Sequence, residues 1–119
     1  MPTLKNLKER LARDREIKLS VTGRSSGRTI SRQVWFVLDG NKVYLLPVRG
    51  SDTQWYKNVL EDPSIRITAG GTNGELRAVP ITDPKQIASV VDMFRNKYGA
   101  GEVKKYYSKF DAAVVALIR

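Results

Sequence analysis

Between residues 16 and 48 the chain shows three strand-like stretches, the first alternating polar and apolar side chains, separated by glycine-bearing bends. This pattern narrows the fold more than any other feature. Residues 16–22, Glu-Ile-Lys-Leu-Ser-Val-Thr, repeat with period two, as a strand with one buried face does. Residues 23–29 form a bend rich in Gly and Ser, and residues 29–38 return as a second strand ending in Val34-Trp35-Phe36-Val37-Leu38. Asp39-Gly40-Asn41 reads as a hairpin turn, because its glycine supplies the positive φ that a tight turn needs. Lys42 to Val48 follows as a third strand. Residues 16–48 therefore predict a three-stranded antiparallel meander.

The rest of the chain changes period. After the loop Arg49 to Asp52, Ser51 or Asp52 is placed to cap a short helix through Trp55, Tyr56, Val59 and Leu60, which Asp62-Pro63 ends. Ser64 to Ala69 alternates as a strand, residues 70–74 turn, and Glu75 to Thr82 returns, with Pro80 making the end of that strand an edge or bulge. Asp83-Pro84 opens a helix lined on one side by Ile87, Val90, Val91, Phe94 and Tyr98. Gly99-Ala100-Gly101 breaks it, and Val103, Tyr106, Tyr107 and Phe110 mark a further short helix. Residues 112–118 are continuously apolar and read as a last buried strand, although periodicity alone also permits a helix. At the start, Leu4, Leu7 and Leu11 share one face of an amphipathic helix over roughly residues 3–14, with Thr3 as N-cap. The order α-βββ-α-ββ-αα-β predicts a mainly β domain with flanking helices. Six antiparallel strands favour a small barrel, since closure removes exposed edges.

A chain of 119 residues has room for one core, so residues 1–119 read as a single domain, with residues 1–15 as its N-terminal helical segment. Histidine and cysteine are both absent. This chain therefore carries no Ser-His-Asp relay, no thiolate nucleophile and no zinc ribbon. The twelve acids are scattered, so no metal site is expected, and no catalytic side chain stands out. An enzyme of this composition would leave the hard step to a bound cofactor. The opening MPTLKNLKER has charge but no apolar segment, and no apolar run nears the ~20 residues of a membrane span. A cytoplasmic protein is the expectation. Residues 1–50 hold 11 Lys and Arg against 4 Asp and Glu, a balance of +7, which suits an anionic partner. A basic amphipathic helix can also touch a membrane surface weakly, although capping its own domain is the simpler use. No helix-turn-helix or RNP pattern accompanies the charge, so nucleic acid is not the expected partner.

Two bends carry the candidate site. Thr22 to Arg32 contains three arginines, three serines and no acid, and Arg24, Ser25, Ser26, Gly27 and Arg28 could cradle a phosphate or carboxylate. Val48, Arg49, Gly50 and Ser51 lie at a strand end before a helix, where free amides accept an anion. Trp35 and Trp55 could line a flat pocket.

The same residues resemble a known family. Thr22-Gly23-Arg24-Ser25-Ser26-Gly27, Val34-Trp35-Phe36, Val43-Tyr44-Leu45-Leu46, Gly50, and Trp55-Tyr56-Lys57-Asn58-Val59-Leu60-Glu61-Asp62-Pro63 look like the deazaflavin-dependent nitroreductases over roughly residues 20–68. The resemblance implies a six-stranded antiparallel split β-barrel of the FMN-binding type. It implies an oxidoreductase passing hydride from reduced coenzyme F-420 to a small acceptor such as a quinone or nitro compound. By position, the two bends would hold the phosphate and acidic tail, Trp55 and Asn58 would close the site, and Trp35 would face the ring. Pairing through the sheet as a homodimer is also implied. Ser25, Ile30 and Gln33 stand where members often carry Lys, Arg and Pro. FMN, used by neighbouring split-barrel groups, is accordingly the alternative cofactor, and a flavin- or lipid-holding module without turnover is the alternative function.

Overall fold

The computed structural model describes residues 4–118. Thr3, the expected N-cap, lies outside them. The elements are α1 (Leu4–Leu11), β1 (Glu16–Thr22), β2 (Thr29–Asp39), β3 (Lys42–Leu45), α2 (Gln54–Glu61), β4 (Ser64–Ala69), β5 (Thr72–Ile81), α3 (Pro84–Tyr98), α4 (Ala100–Tyr106) and β6 (Ala113–Leu117).

The six strands form a closed antiparallel barrel in the order β1-β2-β3-β6-β5-β4. Two long strands make the closure. Residues 29–35 of β2 pair with β1 and residues 36–39 with β3. Residues 72–77 of β5 pair with β4 and residues 78–81 with β6. Pro80 is accommodated by this handover. Ala78 donates its amide to Pro63 at 2.8 Å on the β4 side, and β4 itself reaches only Arg77. The position of Pro80 two residues on, where an N–H would face the same side, has no strand to serve there.

Alternation sorts the strands into two cores. Ile17, Leu19, Phe36, Val43, Leu45, Ile67, Leu76 and Val114 fill the barrel. Val37, Leu46, Ile81 and Ala113 point outward and are covered by Ile87, Val90, Val91 and Phe94 of α3 and Val103 of α4. The helix starting at Asp83 has the expected cap, with the Asp83 carboxylate accepting from the Gln86 amide at 3.0 Å. Leu7 and Leu11 of α1 sit within the barrel core at 0% and 1% exposure, and Lys8 donates to Asn41 of the β2–β3 turn at 2.8 Å. The helix plugs one barrel end, so this part of its apolar stripe is not available to a membrane. At the other end α2 inserts Trp55, Tyr56 and Val59. No helix of the described residues is long and apolar enough to cross a membrane.

Four boundaries differ from expectation. The third strand ends at Leu45, where its ladder with β6 ends opposite Val114, and Pro47 just beyond lacks a ladder donor. The 70–74 turn shrinks to Gly70 and Gly71, at φ 55° and 84°, and Thr72 already belongs to β5. Ser51 and Asp52 do not cap α2. They lie in a 3-10 turn, Gly50–Asp52, and Thr53 is the N-cap residue. Finally, α4 ends at Tyr106, leaving Phe110 outside it.

Candidate functional site

The first bend joins β1 to β2, and most of its amides are already used. Gly23 donates to Arg28 O at 2.8 Å, Gly27 to Gly23 O at 2.9 Å, and Arg28 to Ser26 Oγ at 3.2 Å. The Arg24 amide donates to Asn58 Oδ1 at 3.1 Å. A nest of converging free amides is therefore not what this bend offers. Its anion-binding capacity is in side chains. The Arg24 guanidinium donates to Asn58 Oδ1 and to Gln54 Oε1, both at 2.7 Å. Those partners are neutral amides, so the charge is held in place without being cancelled. Among the described residues, no ion pair involves Arg24, Arg28, Arg32 or Arg49. Asn58 is buried at 4% exposure and acts on the bend rather than on open space.

The second bend is built differently. Gly50 donates to Pro47 O at 3.1 Å, Thr53 to Gly50 O at 3.0 Å, and the Arg49 amide to Thr53 Oγ1 at 2.8 Å. Both bends are thus tied to the first turn of α2, one at Thr53 and the other at Gln54. The segment after α4 lies along this second bend, with Arg49 bridging Lys109 in parallel and Ser108 donating to Val48 O at 2.9 Å. It delivers Asp111, whose carboxylate accepts from the Ser51 amide at 2.8 Å and from Ser51 Oγ at 2.6 Å. Those two bonds, with Lys109 nearby, hold the Asp111 pKa below its ordinary value. Gly50 has φ 54°, and a Cβ there would collide with the Asp111 carboxylate. Ser51, expected to meet a ligand, meets this carboxylate instead.

Trp55 is buried, and Trp35 is partly exposed. Trp55 is 6% exposed inside the barrel end, near Tyr56. A bulky apolar ring at the first turn of a short helix plugs a barrel mouth more readily than it floors a cleft. Trp35 points outward into the second core, stacked on Tyr98 at 4.2 Å and 7° and edge-on to Tyr106 at 5.5 Å. The Tyr98 hydroxyl below it accepts from the Phe36 amide at 3.0 Å, and burial pushes its pKa up to about 12. Beside it, Lys97 donates to Phe36 O at 2.8 Å, and burial lowers its pKa to about 8.

The main concavity was not anticipated. A groove of about 1080 Å³ runs along the outer face of the barrel, walled by Met93 of α3 and floored by Tyr44, Val79 and Leu117. Val79 and Leu117 are 51% and 50% exposed. Arg66 and Arg77 also line it, as do Thr22 and Thr29, the pair from which the first bend springs. The expected bend residues themselves do not line it. Residues 112–118 held the clue, because an unbroken apolar strand puts apolar side chains on both faces of the sheet. The α3 helix covers Ala113, whereas Leu117 stays open.

The fold recurs in solved structures at low identity. An F420-H2-dependent reductase (FDR-A) matches with TM-score 0.66 and 16% identity, over 86% of this chain and 93% of that one. A candidate pyridoxamine 5′-phosphate oxidase from Listeria innocua matches with TM-score 0.70 and 12% identity, over 97% and 91%. HutZ, the heme storage protein of Vibrio cholerae, matches with TM-score 0.70 and 13% identity, over 99% and 90%. These likenesses establish the six-stranded split-barrel architecture with flanking helices. No curated protein matches the sequence. Residues 7–116 match the family model described as an uncharacterized protein conserved in bacteria, DUF2255, and the chain belongs to that family.

Proposed function

We propose that the protein is a cofactor-dependent oxidoreductase whose outer groove takes a flat redox ring, F-420 or FMN, and passes hydride to a small organic acceptor such as a quinone or nitro compound. The observation that carries this reading is the groove itself. Its volume is at the upper end of ligand clefts, Tyr44, Val79 and Leu117 give it apolar lining beside the charged Arg66, Glu75 and Arg77, and the Thr22–Thr29 pair from which the Arg24–Arg28 bend springs also lines it. Tyr44, Val79 and Leu117 would hold the ring face, and Arg24 and Arg28 its phosphate. When bound, the ring supplies the hydride chemistry, which needs neither the histidine nor the cysteine this chain lacks. The chain's own residues bind, orient and exclude water.

Heme suits the chain less well, because histidine and cysteine, the commonest axial ligands, are missing. Kinship with the deazaflavin-dependent nitroreductases rests on the Thr22–Gly27 and Trp55–Pro63 motifs. A homodimer paired through this sheet would roof the groove and cover Leu117. The test is a parallel fluorescence titration with F-420 and FMN, followed by absorbance of the reduced cofactor with menadione present. Saturable binding with oxidation of the ring supports an enzyme. Binding without oxidation supports a holding module, and no binding up to millimolar concentration removes the reading.

A further inference from the structure

The two bends differ in one respect that bears on which ring the groove accepts. Between residues 17 and 38 there is no acid, so Arg24 and Arg28 face an incoming anion with their charge intact. In the second bend, the two cations Arg49 and Lys109 are equalled in number by Asp52 and Asp111, and the ion pairs are made by Lys109. Lys109 reaches Asp52 at 3.1 Å and Asp111 at 3.6 Å, and Asp111 itself occupies the Ser51 amide and hydroxyl. A carboxylate bound through both oxygens to an amide and a hydroxyl is how such a bend would hold a ligand's anion. Here the chain supplies that anion from residue 111, with Gly50 shaped to admit it.

We propose that Asp111 is a specificity-determining residue. It fills the second bend with the chain's own carboxylate, so the protein takes a redox ring bearing a single phosphate, held at Arg24 and Arg28, and gains nothing from a longer acidic tail. This rests on the cofactor reading above and narrows it toward the FMN class. A second anion arriving at Ser51 would have to displace a carboxylate already making two short hydrogen bonds, and would meet no net positive charge in return.

The test uses the full chain and two probes. The first is inorganic phosphate, followed by amide NMR at constant ionic strength. In the wild type the Ser25 and Ser26 amides should shift saturably while the Ser51 amide stays fixed. In Asp111→Asn, which keeps an acceptor for the Ser51 amide but removes the charge, Ser51 should move as well. The second probe is F-420 carrying short or long glutamate tails, with FMN and riboflavin alongside. Wild-type affinity should be at least tenfold higher for FMN than for riboflavin and change less than twofold with tail length, whereas Asp111→Asn should favour the long tail by fivefold or more. A wild-type Ser51 amide that shifts with phosphate as Ser25 does, or a fivefold gain from tail length in the wild type, overturns the proposal. If no ring binds at all, the cofactor reading fails, and the phosphate titration still decides whether Asp111 closes the bend.

Discussion

Asn58 shows how one buried amide can set up a charged site at a distance. Its oxygen takes both the backbone amide and the guanidinium of Arg24, so the bend and its cation are fixed together. Asn58→Ala should cost about 1–3 kcal/mol of stability, the range for lost hydrogen bonds to a charged group, measured by urea unfolding. A cost below about 0.5 kcal/mol would mean that the clamp holds nothing. Arg24→Ala should weaken binding of whichever ring the protein takes by about 1–3 kcal/mol. Lys97 supplies a pH test. Its folded pKa, about 8, lies below the ordinary 10.5, chiefly through burial, so between these values the unfolded chain binds more protons than the native one. Stability should therefore rise as pH climbs from 8 toward 10, and the advantage of Lys97→Met over the wild type should shrink across that window. Denaturant midpoints for both proteins at each pH give the answer, and an advantage that stays constant would contradict the assignment. Above pH 10 the raised pKa of Tyr98 acts the other way, because only the unfolded chain then loses that proton.

At the scale of elements, strands were legible where one face is buried and the other wet. β1, β4 and α3 follow from period two or period 3.6 and the cap of α3, β2 from its apolar end and the Asp39-Gly40 turn, and β6 from its unbroken apolar run. The end of β3 was not legible from alternation, because it depends on how far its pairing with β6 extends, a long-range fact, although Pro47 was a local warning. The site was legible only in part. The structure ties both bends to α2, yet no local pattern places Asp111, sixty positions away, on Ser51. Nor does spacing say that Trp55 faces the barrel and Trp35 the helices, since both answers fit a buried aromatic. Packing gives Leu7 and Leu11 of α1 a place inside the barrel core. Leu7→Ala or Leu11→Ala should cost about 2–5 kcal/mol, as for other fully buried leucines, with no change in binding to anionic vesicles. A variant of full stability that no longer binds vesicles would reverse that conclusion.

For the whole molecule, barrel closure leaves one broad face uncovered. Helices plug both ends, α3 and α4 cover one flank, and Val79 and Leu117 remain half exposed beside α3. Two occupants suit that face, a flat ring and a second copy laid over it, and sedimentation of the wild type and Val79→Arg should show whether pairing depends on it. If the outer groove holds the redox ring, as proposed, a fluorescence titration with FMN and F-420 separates the wild type from Val79→Arg. Residue 79 is half exposed, so the arginine should leave the barrel intact. Saturable binding of at least one ring to the wild type, and its loss in Val79→Arg, are expected. Equal affinity in the two proteins, or no binding to either, would contradict the proposal.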